Sequence, residues 1–315
     1  MMKIKTIFLR LLRYEHGRRN RIGLLMILLW APYLLFTSEI FFEQRKLIPQ
    51  LFKAISKLES LHQSKIPAVP GDWLSIYRER GQLFKEYLKI HPTTISNRRN
   101  VIYIQPLGDF SDKQRRLIEI TAEYMGLFFN MKTIIKTDIP DKQIPMVGMR
   151  GQQVYTFYVL KRVLKPRLPK DAAVFIAFTP RDLTPGGGWN FVFGQATLKQ
   201  RIGVWSFNRF GDPEESDDMF MKCLVRTIKV ASHESGHIFS MRHCTKYQCL
   251  MNGCNHLGEM DRSPLYLCPE CVSKLCYATN TPIRRHYENL SKFARKYRLN
   301  DLYRFCRKSL RQICP

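Results

Sequence analysis

The sequence predicts an α+β chain: strands and helices mixed through its middle, one long helix carrying the chemistry, and a C-terminal subdomain stapled by four cysteines. Three observations carry this reading. Short β-branched and aromatic runs alternate with helix-length amphipathic segments from Val101 onward. One of those segments, FMKCLVRTIKVASHESGHIF, is helical in pattern and ends with two histidines on one face. Two close cysteine pairs come after it, separated by a loop.

At 315 residues the chain has room for one large domain or two ordinary ones, each with a real core. Its formal net charge of +25 implies attraction to anionic surfaces and says nothing about fold. There are nine cysteines, so complete internal pairing is impossible. Cys223, Cys254, Cys276, Cys306 and Cys314 show no regular framework, which fits a reducing compartment better than a secreted disulfide scaffold.

Taken in order, residues 1–21 are basic, and an uncharged run, Ile22 to Ser38, comes next with Pro32 inside it. It falls just short of a comfortable membrane span, so a signal anchor, an interfacial helix and a helix packed on the domain all stay open. The location stays open with them, cytoplasmic or membrane-associated. Residues 45–99 read as a helical extension packed on the main domain, broken by Pro67, Pro70 and Gly71. VIYIQ is a strand. Ser111 caps a helix through about Phe129, with Leu117, Ile120, Tyr124 and Phe128 on one face. MKTIIKT is a second strand, and GQQVYTFYVLKRVL reads as a helix ended by Pro166. AAVFIAFT is apolar enough for a central strand buried on both faces. NFVFGQA and IGVWSFNRF are predicted to pair or lie adjacent. Asp217 and Asp218 favour the start of the long helix, and a basic helical tail spans 277–315.

The chemistry sits at HESGH. His233 and His237, four residues apart on a helix, present two imidazoles to one metal ion, and Glu234 stands beside that ion without binding it. This is the arrangement of a zinc hydrolase, whose carboxylate takes a proton from a zinc-bound water. A third ligand is needed, and His243 supplies it, six residues after His237. A continuing helix cannot aim His243 at the same point, so the chain must stop and turn back. Ser240 stands at the corner, where glycine is the ordinary residue, and a positive φ there carries strain of order 1 kcal/mol.

Cys244, Cys249, Cys268 and Cys271 form a second constellation. Four thiolates in two pairs make a tetrahedral zinc site closed to water, which would fix the loop carrying His243. Cys254 is the nearest substitute should one of the four fail. His256 reads as a polar loop residue. Met251 reads either as core or as the floor beneath the first metal.

The run HESGHIFSMRHC, then CLM, then CPEC resembles the archaemetzincins, a family of zinc metalloproteases, and FTPRDLTPGGGWNFVFGQA resembles the family's strand-loop-strand segment. The similarity spans about residues 100–276. It implies a metzincin-like domain with a mixed twisted sheet and the active-site helix beneath a cleft. His233, His237 and His243 would bind catalytic zinc, Glu234 would be the general base, and the four cysteines would bind the second zinc. Met251 would be the Met-turn residue, and NFVFGQA would edge the cleft and hold an extended peptide.

The expectation is therefore a two-zinc peptidase acting on peptide or protein substrates. The alternative is a zinc-stabilised basic module that holds nucleic acid or anionic membrane. It ranks below, because no stacking motif of the RNA-binding kind is present and the basic residues are spread out. Oligomeric state is not legible.

Overall fold

The computed structural model describes residues 44–197 and 200–313. The apolar run at 22–38 and Cys314 lie outside the described residues. No helix among the described residues is long and apolar enough to cross a membrane. Everything described belongs to one compact unit of mixed α+β architecture.

Five strands make the main sheet: β1 (Val101–Pro106), β2 (Lys132–Ile135), β3 (Ala172–Thr179), β4 (Gly194–Ala196) and β5 (Ile202–Ser206), in the order β2-β1-β3-β5-β4. All neighbours run parallel except β4, which lies antiparallel to β5 at the edge. The central strand β3 is buried along its whole length. Its residues alternate between two cores, as the period of a strand requires. Val174, Ile176 and Phe178 join the larger core with the helices of one face, while Phe175 and Ala177 join a smaller one with Val159, Leu160 and Val163. Burial on both faces is why AAVFIAFT reads as an unbroken apolar run.

The helix Asp112–Phe129 starts as its sequence demands. Ser111 Oγ accepts from the Gln114 backbone N–H at 3.2 Å, and the Gln114 side chain accepts from the Ser111 N–H at 3.1 Å. It ends at Asn130 in the left-handed conformation, φ 52°, a position Asn tolerates well.

One segment differs from expectation. The helix predicted over GQQVYTFYVLKRVL begins only at Thr156, because Gln153–Tyr155 is extended and pairs with Leu183–Thr184 in a second, three-stranded sheet. Asp182 holds it there: its carbonyl accepts from the Val154 N–H at 2.8 Å and its carboxylate from Gln153 Nε2 at 2.7 Å. Pro166 lies within the last turn, Lys165–Arg167. The predicted hairpin forms, with its first strand shortened to Gly194–Ala196.

The basic C-terminal segment folds into two helices, Ile283–Lys296 and Asn300–Ile313, that pack on the domain. Phe293 meets Tyr124 edge-on at 5.0 Å, and His286 Nδ1 lies 3.1 Å from the Phe128 carbonyl. The helix over 44–58 buries Leu51, Ala54 and Leu58 in the main core. The chain after it runs along the metal-site loops, with Ser64 bridged to Tyr247.

Candidate metal centres

The site is built on the helix Asp217–Ile238, which lies beside β4 and β5. Ser216 caps it, accepting from the Met219 N–H at 3.1 Å, and Asp217 and Asp218 occupy the first turn. The helix ends where the sequence requires a reversal. Ser240 adopts φ 65°, and the next N–H, from Met241, bonds back to the Gly236 carbonyl at 3.1 Å. This returns the chain and sets His243 against the two helical histidines, its ring 5.2 Å from His233 and 4.9 Å from His237.

Each of the three imidazoles is fixed through Nδ1. His233 Nδ1 donates to the Leu250 carbonyl (2.9 Å), His237 Nδ1 to the Met241 carbonyl (2.7 Å), and His243 Nδ1 to the Glu79 carboxylate (2.7 Å). With Nδ1 committed to these acceptors, Nε2 is the ring atom each histidine has left for a metal ion. Burial, together with repulsion between the rings, pushes His233 well below the ordinary histidine range, and burial pushes His237 down to about 4, so both are neutral near pH 7. The Nε2 atoms of His233 and His237 stand 3.0 Å apart. Two lone pairs facing one another at that distance call for a cation between them. A tetrahedral ion with Zn–N distances of about 2.0–2.1 Å would set the two nitrogens about 3.3–3.4 Å apart, a few tenths of an ångström more than this separation.

Glu234 lines the same cleft, a cavity of about 700 Å³. Burial pushes its carboxyl up to about 7. The edge strand presses close: a Cβ on Gly194 would come within 3.2 Å of Glu234 Cγ and 3.1 Å of Trp205 Cβ, so a larger residue there would require its neighbours to shift by a few tenths of an ångström. Beneath the helix, Met251 is fully buried with Sδ against Gly236, where an added Cβ would stand only 2.7 Å away. The methionine therefore forms the floor between the two histidine turns.

The second constellation is equally compact. Cys244, Cys249, Cys268 and Cys271 are buried, unpaired by disulfides, and offer four sulfurs within 4.8 Å of one another. Hydrogen bonds from the other three hold the Cys244 thiol well below the usual range. The backbone N–H groups of Cys268 (3.2 Å) and Met251 (3.4 Å) point at Cys249 Sγ. Cys268 caps the helix Pro269–Ala278, so the positive end of that helix faces the sulfurs. Lys274, fully buried, brings its ammonium 3.8 Å from Cys271 Sγ. These donors suit thiolates. Cys254 lies apart, with Sγ 3.7 Å from the Asn252 carbonyl and from Ser263 Oγ.

Several contributors carried no sequence signal or a weak one. Glu79 and Gln82 reach the site from the N-terminal extension. Asn252 knits the cysteine loop, donating to the Cys244 and Tyr247 carbonyls at 2.7 and 2.9 Å. Lys274, three residues after Cys271 on a helix, shares its face and was the most legible of these. His256 caps the helix Leu257–Arg262 and bonds Asp72 at 3.1 Å. Asp72, His256 and Glu259 also cluster, but their acceptors are occupied by Arg262 (2.6 Å) and by the N–H groups of Val69, Trp73 and Asn255.

Ser240 does more than tolerate its corner. Its hydroxyl accepts from the Thr93 N–H at 3.1 Å and lies 3.3 Å from Thr93 Oγ1. Ser240→Ala keeps the strained φ and loses those bonds, so it is expected to cost about 1 kcal/mol. Ser240→Gly also loses them but relieves about 1 kcal/mol of strain, returning close to wild type. Denaturant unfolding of the zinc-loaded protein checks the order, glycine above alanine.

Imidazoles converging from a helix and from the returning chain, with a carboxylate beside them in an open cleft, define a metal-dependent hydrolase. Comparison with known proteins narrows that class. Residues 173–276 match the model of Peptidase family M54. Human archaemetzincin-2 is 31% identical over 259 residues, covering 70% of this chain and 71% of that protein. The archaemetzincin of Archaeoglobus fulgidus is 29% identical over 177 residues, 56% of this chain and 99% of that one. A crystal structure of the latter, complexed with malonate, superimposes with a TM-score of 0.46 at 28% identity over 55% of this chain and 99% of that one. The chain belongs to the archaemetzincins and is a zinc metallopeptidase.

Proposed function

We propose that this peptidase carries two zinc ions, one catalytic, held by Nε2 of His233, His237 and His243, and one structural, held by Cys244, Cys249, Cys268 and Cys271. The observation that carries the reading is the convergence of three histidine ring nitrogens within 4.8 Å of one another beside a carboxylate, over a separate buried four-sulfur group. When bound, the catalytic zinc supplies a Lewis acid that polarises the scissile carbonyl and acidifies water. Glu234 accepts the proton of the attacking water and carries it to the leaving amine nitrogen. Among the described residues β4 is the edge strand of the main sheet and lines the cleft, where its backbone would receive an extended peptide as an added strand. Met251 and the Leu250 carbonyl hold the floor and the His233 ring in place.

The four-cysteine site acts on the catalytic one through covalent continuity. Cys244 is the residue directly after His243, and the Cys244 N–H bonds the Met251 carbonyl at 2.7 Å, so closing the sulfur cage fixes the third histidine and the floor together. Membership of a peptidase family leaves the nucleic-acid or membrane-binding module without support. Metal analysis of the purified protein tests the reading. Wild type is expected to hold two zinc ions and His243→Ala about one. An unchanged zinc content in the variant would remove His243 from the ligand set.

A further inference from the structure

We infer that Glu79, in the N-terminal extension, is a positioning residue for His243: its carboxylate fixes the ring so that Nε2 faces the metal position. The inference rests on the reading of His243 as the third zinc ligand. Among the three histidines, His243 alone lies off the long helix, and its Nδ1 partner alone is a carboxylate. His233 and His237 donate to carbonyls of the loop after the helix. His243 donates to a side chain 164 positions earlier in the sequence, outside the 173–276 span that the family model matches.

The segment bearing Glu79 is held against the returning chain on several sides. Gln82 Oε1 accepts from the Arg242 N–H at 3.2 Å, and Gln82 Nε2 donates to the Ser240 carbonyl at 3.4 Å. Tyr87 Oη donates to the Phe239 carbonyl at 2.6 Å, and the Phe84 N–H donates to Glu270 at 2.6 Å. The buried Lys274 ammonium donates to the Gln82 carbonyl while facing the cysteine group. The extension thus clasps the corner 239–243 along its length, and the placement of Glu79 is set by the same bonds that set the corner. Trp73 closes the remaining side, its ring edge-on to His243 at 5.0 Å and tilted against Tyr77 at 4.3 Å. The pair is largely sheltered, with 15% of the His243 side chain and 31% of the Glu79 side chain exposed.

General ligand chemistry gives the physical consequence. A carboxylate accepting from Nδ1–H fixes the tautomer, restricts ring rotation and makes Nε2 a stronger donor. A ligand on a turn needs this more than a ligand on a helix, because no regular backbone orients it. The bland account is that Glu79 merely anchors the extension. The two accounts differ in what they do to metal affinity in the folded protein.

The experiment is zinc competition with a calibrated chelator on the full chain, for wild type, Glu79→Gln and Glu79→Ala, with Co²⁺ absorption as a second readout. Expected is a 10–100-fold weaker affinity for one of the two ions in Glu79→Ala, with the other unchanged. Glu79→Gln, which keeps an acceptor but not the charge, is expected to fall between. The Co²⁺ d–d bands of the three-histidine site are expected to shift in both variants. Peptide KM should stay near wild type for whatever fraction holds metal. Unchanged affinity and unchanged bands, whether or not the melting temperature drops, overturn the inference. If His243→Ala releases one zinc while Glu79→Ala binds both ions as tightly as wild type, only the inference fails. If His243→Ala releases none, the ligand assignment fails first.

Discussion

Glu234→Gln is expected to lower kcat/KM for peptide cleavage by about 10²–10⁴-fold, with the zinc content unchanged. The substitution keeps the shape of the side chain and its place between the edge strand and the helix, where Gly194 leaves room for it. It removes the cleft-lining carboxylate next to the histidines that would take up a proton and return it. The free carboxyl sits near 7 because burial disfavours its charge. A dication a few ångströms away favours the charged form, so zinc loading would turn Glu234 into a carboxylate able to accept a proton. The measurement is cleavage of a quenched fluorescent peptide alongside metal analysis of the same sample. A variant that cleaves within tenfold of wild type while holding its zinc would remove Glu234 from the base role. A variant that loses zinc as well would place the side chain in ligand positioning instead.

How much of this was legible in the sequence depends on the range of each interaction. His233, His237 and Glu234 are related by a single helical turn, so their spacing encodes their geometry. His243 was legible because six residues exceed what one helix face can gather, and the reversal it demanded appears at Ser240 with φ 65°. The cysteine group was legible because four soft ligands in two pairs have few other uses. The strand at Gln153–Tyr155 was not legible. Its apolar pattern continues into the helix after it, and its extended state is decided by Asp182, a distant partner. Glu79 was not legible either, since an acidic residue in a loop rich in Arg and Glu carries no periodicity. What the sequence showed at Ser240 as a departure from glycine, the structure explains as an adaptation to the extension, whose Thr93 uses the hydroxyl.

On the proposed reading the same corner would join the second site to the first, and Cys268→Ser is expected to show it. Cys268 is fully buried, 3.6 Å from Cys244 Sγ, and caps the helix that carries Cys271. Structural zinc binds with about 10–16 kcal/mol in small sites, comparable to the whole stability of a domain. Losing one thiolate leaves three sulfurs around an incomplete shell and a buried Lys274 with less negative charge to face. The expected cost is on the order of 5 kcal/mol, a fall in melting temperature of about 10–20 °C for a domain of this size. Activity should fall with it, since His243 and Met251 hang from Cys244 and Cys249. Cys254→Ser is the matched control, a thiol in the same loop that stands outside the cage, and its melting temperature should move by only a few degrees. Calorimetry and metal analysis of the two variants separate the outcomes. If Cys268→Ser keeps both ions and melts with wild type, Cys268 is not a ligand of a structural metal. If it melts early yet cleaves normally below its transition, the cage stabilises the fold without shaping the catalytic site. Loss of both stability and catalysis, with Cys254→Ser unaffected, is the result the continuity of His243 and Cys244 requires.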